Sequence, residues 1–340
     1  MGNTNNKIAV TGIQVLSISG SKVTDLRKYA GIKKLNASCC YGITDVTPLK
    51  GIEELDMSYC ENVKDISALA GIKKLNMAFC HGITDISALA GIEKLDMEGC
   101  DRLTDISSLP GIKELNMAEC WRITDLSPLA GIKKLNISEC VNITNLTPLA
   151  GIEELDMSFC KGVTDISALV GIKKLNMSWC SGVTDVSALA GIGELYMRSC
   201  KEVIDVSSLK GIEQLDMAFC ENVTDVSLLK GIKKLDMSCC YNITDVSALK
   251  GIEELDMSGC DKVTDVSALA GIKVLNTAGC KGVTDVSALA GINVLNMNNC
   301  HGVTDISALV GLKKLGISSA QEPKGLEELK QAGCEIVRWV

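Results

Sequence analysis

Residues 251–270 read GIEELDMSGCDKVTDVSALA, and units of this kind repeat fourteen times between Gly31 and Val310 without an insertion or deletion. With positions numbered 1 to 20, every unit has Gly at 1, Ile at 2, Leu at 5, Cys at 10 and Leu at 19. Position 7 is Met in eleven units, and positions 13 and 16 are Ile, Val or Leu. A fixed period of this length predicts a solenoid, in which each repeat buries its apolar face against its neighbours.

The first half of the repeat predicts one short strand. Positions 5 and 7 are two residues apart, so both side chains point to the same face of an extended chain. Positions 4, 6 and 8 are mostly polar or small and point to the other face. Stacked repeats would then pair these strands into a parallel sheet on the inner face of the solenoid.

The second half, TDVSALA, predicts the return turn on the outer face. Aspartate at position 15 is suited to cap a single helical turn over positions 16–19. Glycine at position 1 of the next repeat can adopt the positive φ that ends such a turn. We expect short 3-10 or irregular turns on the outer face and, because the return path is short, a shallow arc.

The pattern IxxLxMxxCxxITDVSAL resembles the leucine-rich repeat in its cysteine-containing form. The TDVSAL half is also similar to internalin-type short repeats, and the CxxITDVSPL-like units resemble leucine-rich-repeat proteins of trypanosomes. The resemblance covers about residues 12–340. It implies a leucine-rich-repeat solenoid, and it says little about function or source.

The two ends depart from the repeat, as expected of solenoid caps. Gly12–Ala30 is one residue shorter and lacks the cysteine, and Ala320 stands where cysteine is due. Leu326, Leu329 and Ala332 recur with a helix-compatible spacing, and EIVRWV reads as a final strand. We therefore predict an N-terminal cap at 1–30 with one 19-residue repeat, fourteen repeats at 31–310, and a C-terminal cap at 311–340 with a helix and a strand.

The composition excludes several kinds of protein. The net charge is −8, and lysine and arginine are spread along the chain, so we expect no nucleic-acid partner. No apolar run approaches the length of a transmembrane helix, and the N-terminus has no apolar signal segment, so we expect no membrane insertion. Together with the many thiols, this favours a cytoplasmic protein.

Fourteen of the seventeen cysteines occupy position 10. A metal or redox ladder is one interpretation, but a straight row of single thiols does not converge on a tetrahedral site. Disulfides between neighbouring repeats are harder to dismiss on distance alone. We interpret the row as small buried side chains whose thiols satisfy peptide groups in the turn. The vicinal pairs Cys39–Cys40 and Cys239–Cys240 each put one further thiol on the exposed side, which we interpret as incidental.

No residue pattern points to catalysis or to a cofactor. Position 15 is aspartate in thirteen units, which could suggest calcium, but the following VSAL favours capping. The methionines of position 7 lie on the buried face and are interpreted as core. With two histidines and no phosphate loop or Ser/His/Asp arrangement, we expect neither an enzyme nor a bound cofactor or metal.

Charge alternates in sign between many neighbouring repeats at positions 3 and 4. Lys33–Lys34 precedes Glu53–Glu54, which precedes Lys73–Lys74. In a parallel ladder these residues are lateral neighbours, so the alternation is expected to keep the strands in register.

The aromatic residues mark the candidate binding surface. Nine of the eleven lie at positions 6, 9 or 11, which are predicted to face outward, and the other two belong to the caps. The repeat at 191–210 departs most from the consensus, and its neighbours add further aromatics. Aromatic residues with arginine on a rigid face are typical of interface hot spots. The residues predicted to bind a protein are Phe159, Trp179, Tyr196, Arg198, Phe219, Tyr59, Phe79, Trp121 and Glu98, the last two belonging to a weaker acidic patch that continues through Glu119 and Glu139.

The sequence therefore predicts a non-catalytic scaffold that binds a protein partner through its inner strand face and aromatic edge. The alternatives are a structural or self-assembling repeat protein and a substrate adaptor of a larger complex. Packing of each aromatic on its neighbour is the alternative to binding. We expect a monomer, with self-association through the aromatic edge or the caps as the other possibility.

Overall fold

The computed structural model describes residues 15–339, so residues 1–14 of the predicted N-terminal cap lie outside the described residues. The described chain divides into two compact units, the first ending at Val163 and the second beginning at Thr164. In the part of the chain that the model describes, no helix has the length and apolar character needed to cross a membrane.

Each unit is built on a parallel sheet whose strands follow the order of the chain. The strands of the first unit are β1 Val15–Ser17, β2 Lys34–Asn36, β3 Glu54–Asp56, β4 Lys74–Asn76, β5 Lys94–Asp96, β6 Glu114–Asn116, β7 Lys134–Asn136 and β8 Glu154–Asp156. Those of the second are β9 Lys174–Asn176, β10 Glu194–Tyr196, β11 Gln214–Asp216, β12 Lys234–Asp236, β13 Glu254–Asp256, β14 Val274–Asn276, β15 Val294–Asn296, β16 Lys314–Ser318 and β17 Glu335–Trp339.

The strand register reproduces the sequence period. Leu55 stands opposite Leu75, and the twenty-residue offset recurs between the paired strands of the regular repeats. At the start of the first unit the offset is nineteen, because Val15 pairs with Lys34. Strand β1 of the shorter repeat therefore belongs to the same parallel sheet as the strands of the regular repeats.

Short 3-10 turns connect the strands on the outer side, as predicted. In the first unit they are Arg27–Tyr29, Thr47–Leu49, Ser67–Leu69, Ser87–Leu89, Ser127–Leu129 and Thr147–Leu149. In the second they are Ser167–Leu169, Ser187–Leu189, Ser207–Leu209, Ser247–Leu249, Ser267–Leu269 and Ser287–Leu289.

The aspartate of position 15 starts each of these turns. Asp65 accepts a hydrogen bond from the backbone N–H of Ser67 at 2.8 Å, and the same bond recurs in all fourteen repeats, with Asn145 taking the part of aspartate once. The bond reaches position 17, and the turn covers positions 17–19, one residue less than expected. Glycine at position 1 has φ between 81° and 89°, which confirms its predicted role in ending the turn.

The core is a stack of identical layers. In the repeat at 51–70 the side chains at positions 2, 5, 7, 10, 13, 16 and 19 are all at most 3 % exposed, and the other repeats follow the same pattern. Each fully buried aliphatic side chain contributes about 1.5–3 kcal/mol relative to an exposed one. Burial of one repeat depends on its neighbours, which is the property that defines a solenoid.

Charged side chains along positions 3 and 4 pair between neighbouring strands. Lys33 and Glu53 lie 3.1 Å apart, and Glu54 lies 3.0 Å from both Lys34 and Lys74. These side chains are a third to a half exposed, so water and salt screen each pair and its contribution to stability is small. Their main effect is to favour one lateral register, as the alternation in the sequence predicts.

The C-terminal segment forms the predicted helix and strand. Helix α1 covers Leu326–Gln331, and Gly333 follows it with φ 88°. Strand β17 then pairs with β16 in parallel. The parallel strands, outer 3-10 turns and terminal helix are those of a leucine-rich-repeat solenoid of the cysteine-containing type, which confirms the predicted fold, while the shallow arc and the limits of the caps stay predictions.

Candidate binding edge

Each repeat leaves its strand through a tight turn over positions 7–10. The N–H of Cys60 donates to the carbonyl of Met57 at 3.0 Å and closes the turn. Tyr59, the third residue of the turn, has φ 62°. A positive φ at the third residue alone defines a type II turn, where glycine or asparagine is the favoured occupant.

This left-handed conformation occurs at position 9 of every repeat. A residue other than glycine in this region costs roughly 1–2 kcal/mol, and large side chains are rare there. Three repeats have glycine and eleven have another residue, five of them aromatic. The residues are Cys39, Tyr59, Phe79, Gly99, Glu119, Glu139, Phe159, Trp179, Ser199, Phe219, Cys239, Gly259, Gly279 and Asn299.

Asparagine or aspartate at position 6 supports the turn. The Asp56 carboxylate accepts a hydrogen bond from the Ser58 N–H at 3.0 Å, and the same bond is present in thirteen of the fourteen repeats. Tyr196 is the exception, because its side chain cannot accept that bond. Position 6 is therefore half-buried and structural, rather than a free outward position as the alternation of the strand suggested.

In the first unit, Tyr59 and Phe79 form a stacked pair. Their ring centroids are 4.8 Å apart and the planes differ by 14°. The Phe79 ring also lies over Gly99, where an added Cβ would come within 2.6 Å of the ring. Tyr59 remains 40 % exposed, whereas Phe79 is half-buried. The next repeats continue this edge with carboxylates.

Glu98, Glu119 and Glu139 form the acidic part of the first-unit edge. The Glu98 carbonyl accepts a hydrogen bond from the Phe79 N–H at 2.6 Å, and the Asn116 amide donates to both Glu98 and Asp96 at 3.1 Å. Partial burial raises the pKa of Glu119, and the nearby carboxylates of Glu139 and Glu98 raise it further. The three carboxylates therefore lie close enough to interact, and their role in binding stays a prediction.

Trp121 lies two residues beyond Glu119 and is 40 % exposed. The Arg122 guanidinium lies 4.9 Å from the centroid of its ring. We call the set Tyr59, Phe79, Glu98, Glu119, Trp121 and Glu139 the acidic aromatic edge.

In the second unit, Arg198 links an aromatic ring to two carboxylates. Its guanidinium lies 5.3 Å from the centroid of the Phe219 ring. The same group is 3.7 Å from Asp216 and 3.4 Å from Asp236, the position-6 residues of the next two repeats. Burial raises the pKa of Asp216, Asp236 adds to this, and Arg198 opposes it. Arg198 is thus engaged within the chain.

Tyr196 and Trp179 complete this second surface. The Gln214 amide donates to the Tyr196 hydroxyl at 3.0 Å, and the Trp179 N–H donates to the Arg198 carbonyl at 2.8 Å. Trp179 is 44 % exposed. The structure therefore brings four of the predicted residues together, and we call Trp179, Tyr196, Arg198 and Phe219 the arginine-bridged edge. Phe159, the fifth, is 37 % exposed and lies in the first unit.

The position-10 cysteines form the predicted structural row. Cys80 Sγ donates to the carbonyl of Met57 at 3.1 Å, and Cys200 Sγ does the same to Met177 at 3.0 Å. Burial raises the pKa of the Cys60 thiol to about 11 and that of Cys100 to about 12. The cysteines of the described residues are thiols and not disulfides. The described residues contain no group of three metal-binding side chains.

The additional thiols of the vicinal pairs differ from the prediction. Cys39 and Cys239 are half-buried rather than exposed, because position 9 lies against the following repeat. A hydrogen bond with Cys239 raises the pKa of Tyr241 to about 12. Tyr41 has a raised pKa from the nearby Cys39 thiol.

Sequence reasoning missed the backbone conformation at position 9 and the internal partners of Arg198. The first left a signal, because Gly99, Gly259, Gly279 and Asn299 share that position. The second did not, since Asp216 and Asp236 are eighteen and thirty-eight residues away from Arg198 and read as ordinary position-6 residues.

No family model and no curated protein matches the chain. Among solved structures it is similar to the internalin InlF of Listeria monocytogenes, with 18 % identity over 96 % of this chain and 87 % of that one and a TM-score of 0.46. The functional domain of InlJ from the same organism, which includes a cysteine ladder, has 18 % identity over 89 % and 67 % and a TM-score of 0.45. The yeast Rad7–Elc1 complex matches at 16 % identity over 83 % and 84 %, with a TM-score of 0.43. Likenesses this distant carry no argument about function.

Proposed function

We propose that the chain is a non-catalytic scaffold that binds a protein partner through the inner strand face and the aromatic edge. The observation that supports this most is the set of five aromatic side chains at position 9. Each occupies left-handed backbone, where glycine would relieve roughly 1–2 kcal/mol of strain. If position 9 served only to form the turn, the fold would be more stable with glycine at that position, as at Gly259. Strain held at a surface position indicates a use for the side chain.

Lateral packing is the alternative role for these rings. The Tyr59–Phe79 stack is an example, and such a pair contributes about 0.5–1.5 kcal/mol. Packing of this size only offsets the strain, and Tyr59 still keeps 40 % of its surface exposed. Exposed aromatic side chains held on a rigid sheet edge are typical of protein interfaces. We expect this scaffold to act as a monomer in the cytoplasm, where its free thiols would stay reduced.

The test uses two substitutions of Trp179. Trp179→Gly and Trp179→Ala both remove the ring, but only glycine relieves the backbone strain. We expect both variants to lose capture of the same partner from lysate, measured by quantitative mass spectrometry against the unmodified protein. We expect the glycine variant to be more stable than the alanine variant by about 1 kcal/mol, measured by denaturant unfolding.

Arg198→Ala is a poorer test of binding, because it also removes two ion pairs within the chain. Gly279→Ala is a suitable control, since it changes position 9 at a repeat without an aromatic residue. Retained capture by both Trp179 variants would show that the arginine-bridged edge does not bind the partner.

A further inference from the structure

The acidic aromatic edge has carboxylates that form no ion pair with a lysine or arginine of the described chain, while the Arg122 guanidinium lies over the ring of Trp121. Most other acidic groups are engaged: glutamates of positions 3 and 4 pair with lysine, and aspartates of position 15 accept backbone N–H groups. In residues 15–339, no lysine or arginine forms an ion pair with Glu98, Glu119 or Glu139. The negative charge of these three glutamates is therefore not balanced by an ion pair with lysine or arginine in that part of the chain.

The carboxylates and the aromatic rings lie on one continuous stretch. Tyr59, Phe79, Gly99, Glu119 and Glu139 are position 9 of successive repeats, so four strand spacings, roughly 19 Å, separate the first from the last. Hydrogen bonds between adjacent repeats fix this order. The Phe79 N–H donates to the Glu98 carbonyl, and the Gly99 N–H donates to the Ala118 carbonyl.

The second unit contains an internal example of what such a surface holds. There, Arg198 lies over the face of Phe219 and reaches Asp216 and Asp236. A guanidinium is suited to this arrangement because it is planar, stacks on aromatic faces and donates several hydrogen bonds to carboxylates. The acidic aromatic edge of the first unit has rings at position 9 and its carboxylates at positions 8 and 9 rather than at position 6, and Ala78, Ala118 and Ser138 occupy the positions equivalent to Arg198.

We propose that the acidic aromatic edge binds an arginine-bearing, positively charged segment of a protein partner, whose guanidinium groups take the place that Arg198 fills in the second unit. The inference rests on the scaffold role proposed above and assigns a partner chemistry to one surface of it. Nucleic acid does not fit this edge, because its phosphates would meet uncompensated carboxylates. The partner segment is extended and crosses neighbouring repeats, since the carboxylates are spaced along them.

Binding of labelled peptides to the full chain tests the proposal. The probe is a fluorescein-labelled peptide of repeated Arg-Gly pairs, followed by fluorescence anisotropy at low and high salt. Peptides of Lys-Gly and Glu-Gly pairs are compared with it. We expect the Arg-Gly peptide to bind most tightly and to weaken with salt. A Lys-Gly peptide that binds as tightly overturns the assignment to arginine, and absence of Arg-Gly binding at low salt overturns the site.

A matched pair of double variants separates the edge from the net charge. The first is Glu119→Gln with Glu139→Gln, and the second is Glu202→Gln with Glu328→Gln, two exposed glutamates of the second unit without an ion pair among the described residues. Both remove two charges. We expect the first to weaken Arg-Gly binding at least about tenfold and the second less than about twofold. Equal effects would mean that only net charge matters and would overturn the proposal.

The aromatic part has its own variant. Tyr59→Gly removes an exposed ring at a position where glycine is compatible with the backbone, so the fold is expected to persist and can be checked by its unfolding midpoint. We expect it to weaken Arg-Gly binding several-fold, whereas Asn299→Gly, at position 9 outside both named edges, leaves that binding unchanged. If Trp179→Gly retains lysate capture but Arg-Gly binding still depends on Glu119 and Glu139, only the first proposal fails.

Discussion

In the second unit, the arginine at position 8 lies over Phe219 and forms ion pairs with two aspartates. In the first unit, an alanine, a serine or Glu98 occupies that position, and Glu119 and Glu139 extend the edge without an ion pair to lysine or arginine among the described residues. The backbone is the same in both, with position 9 held at a φ near 60°. The comparison shows that the repeat fixes the positions of the side chains. The residue at position 8 then decides whether nearby carboxylates form ion pairs within the chain.

The largest effect is expected where the first-unit edge packs on glycine. Gly99→Ala would place its Cβ 2.6 Å from the Phe79 ring in addition to adopting φ 66°, whereas Gly279→Ala meets no atom closer than 3.7 Å. We expect Gly99→Ala to destabilise by about 2 kcal/mol, from backbone strain and the loss of the Tyr59–Phe79 stack, and Gly279→Ala by about 1 kcal/mol. Urea unfolding measures both. Equal losses would show that the stack contributes nothing to stability.

The next effect comes from giving the first unit a cation of its own. Ser138 is half-buried, and its carbonyl accepts a hydrogen bond from the Glu119 N–H at 2.9 Å, so Ser138→Arg adds a guanidinium to the repeat of Glu139 and next to the repeat of Glu119. We expect Arg-Gly peptide affinity to fall about tenfold, because the internal arginine competes for the same carboxylates. Ser138→Gln is the control of similar reach without charge. Unchanged affinity in Ser138→Arg would contradict the comparison of the two edges.

Removing the cation from the second unit has a smaller effect on stability. Arg198→Ala leaves Asp216 and Asp236 to repel each other, and we expect a loss of about 1 kcal/mol at neutral pH. The Asp216 pKa, already raised in the folded state, would rise further. When the pKa of an acid is higher in the folded than in the unfolded state, the free energy of unfolding is lowered only above the unfolded-state pKa. The destabilisation by Arg198→Ala should therefore be complete at neutral pH and vanish as pH falls below about 4. Thermal unfolding of both proteins at the two pH values measures this, and a loss independent of pH would point to packing instead.

Acid acts on the turns in the opposite direction. Hydrogen bonds from Ser307 and Lys324 lower the pKa of Asp305 to about 2, and the hydrogen bonds from Ser67 lower the pKa of Asp65 in the same way. When the pKa of an acid is lower in the folded than in the unfolded state, its ionised form stabilises the fold above the unfolded-state pKa. This stabilisation is lost as pH falls from about 4 to about 2. Because such turns recur along the chain, we expect it to unfold cooperatively in that range, as followed by circular dichroism. Retained structure at pH 2 would show that these bonds add little.

The fold could be predicted almost completely from the sequence, because the signals for strand, turn and core return every twenty residues. The candidate site could be predicted only in part. Trp179 and Tyr59 stood out as aromatics at a variable position, but their backbone conformation depends on a turn whose type the side chains themselves do not favour. The sequence predicts Arg198 as an interface hot-spot residue but not its ion pairs with Asp216 and Asp236, which exist only once the strands are stacked.

The left-handed position 9 has a consequence for how this surface can be rewritten. Once a repeat carries a residue other than glycine or asparagine there, exchanging it for another unbranched residue changes the backbone energy little, because both share the same strain. The side chain at position 9 can therefore be substituted in each repeat of the sheet with little change in backbone energy. A combinatorial library that varies only position 9 should keep a nearly constant stability while its binding specificity changes. The chain is therefore suited to the construction of new binding proteins.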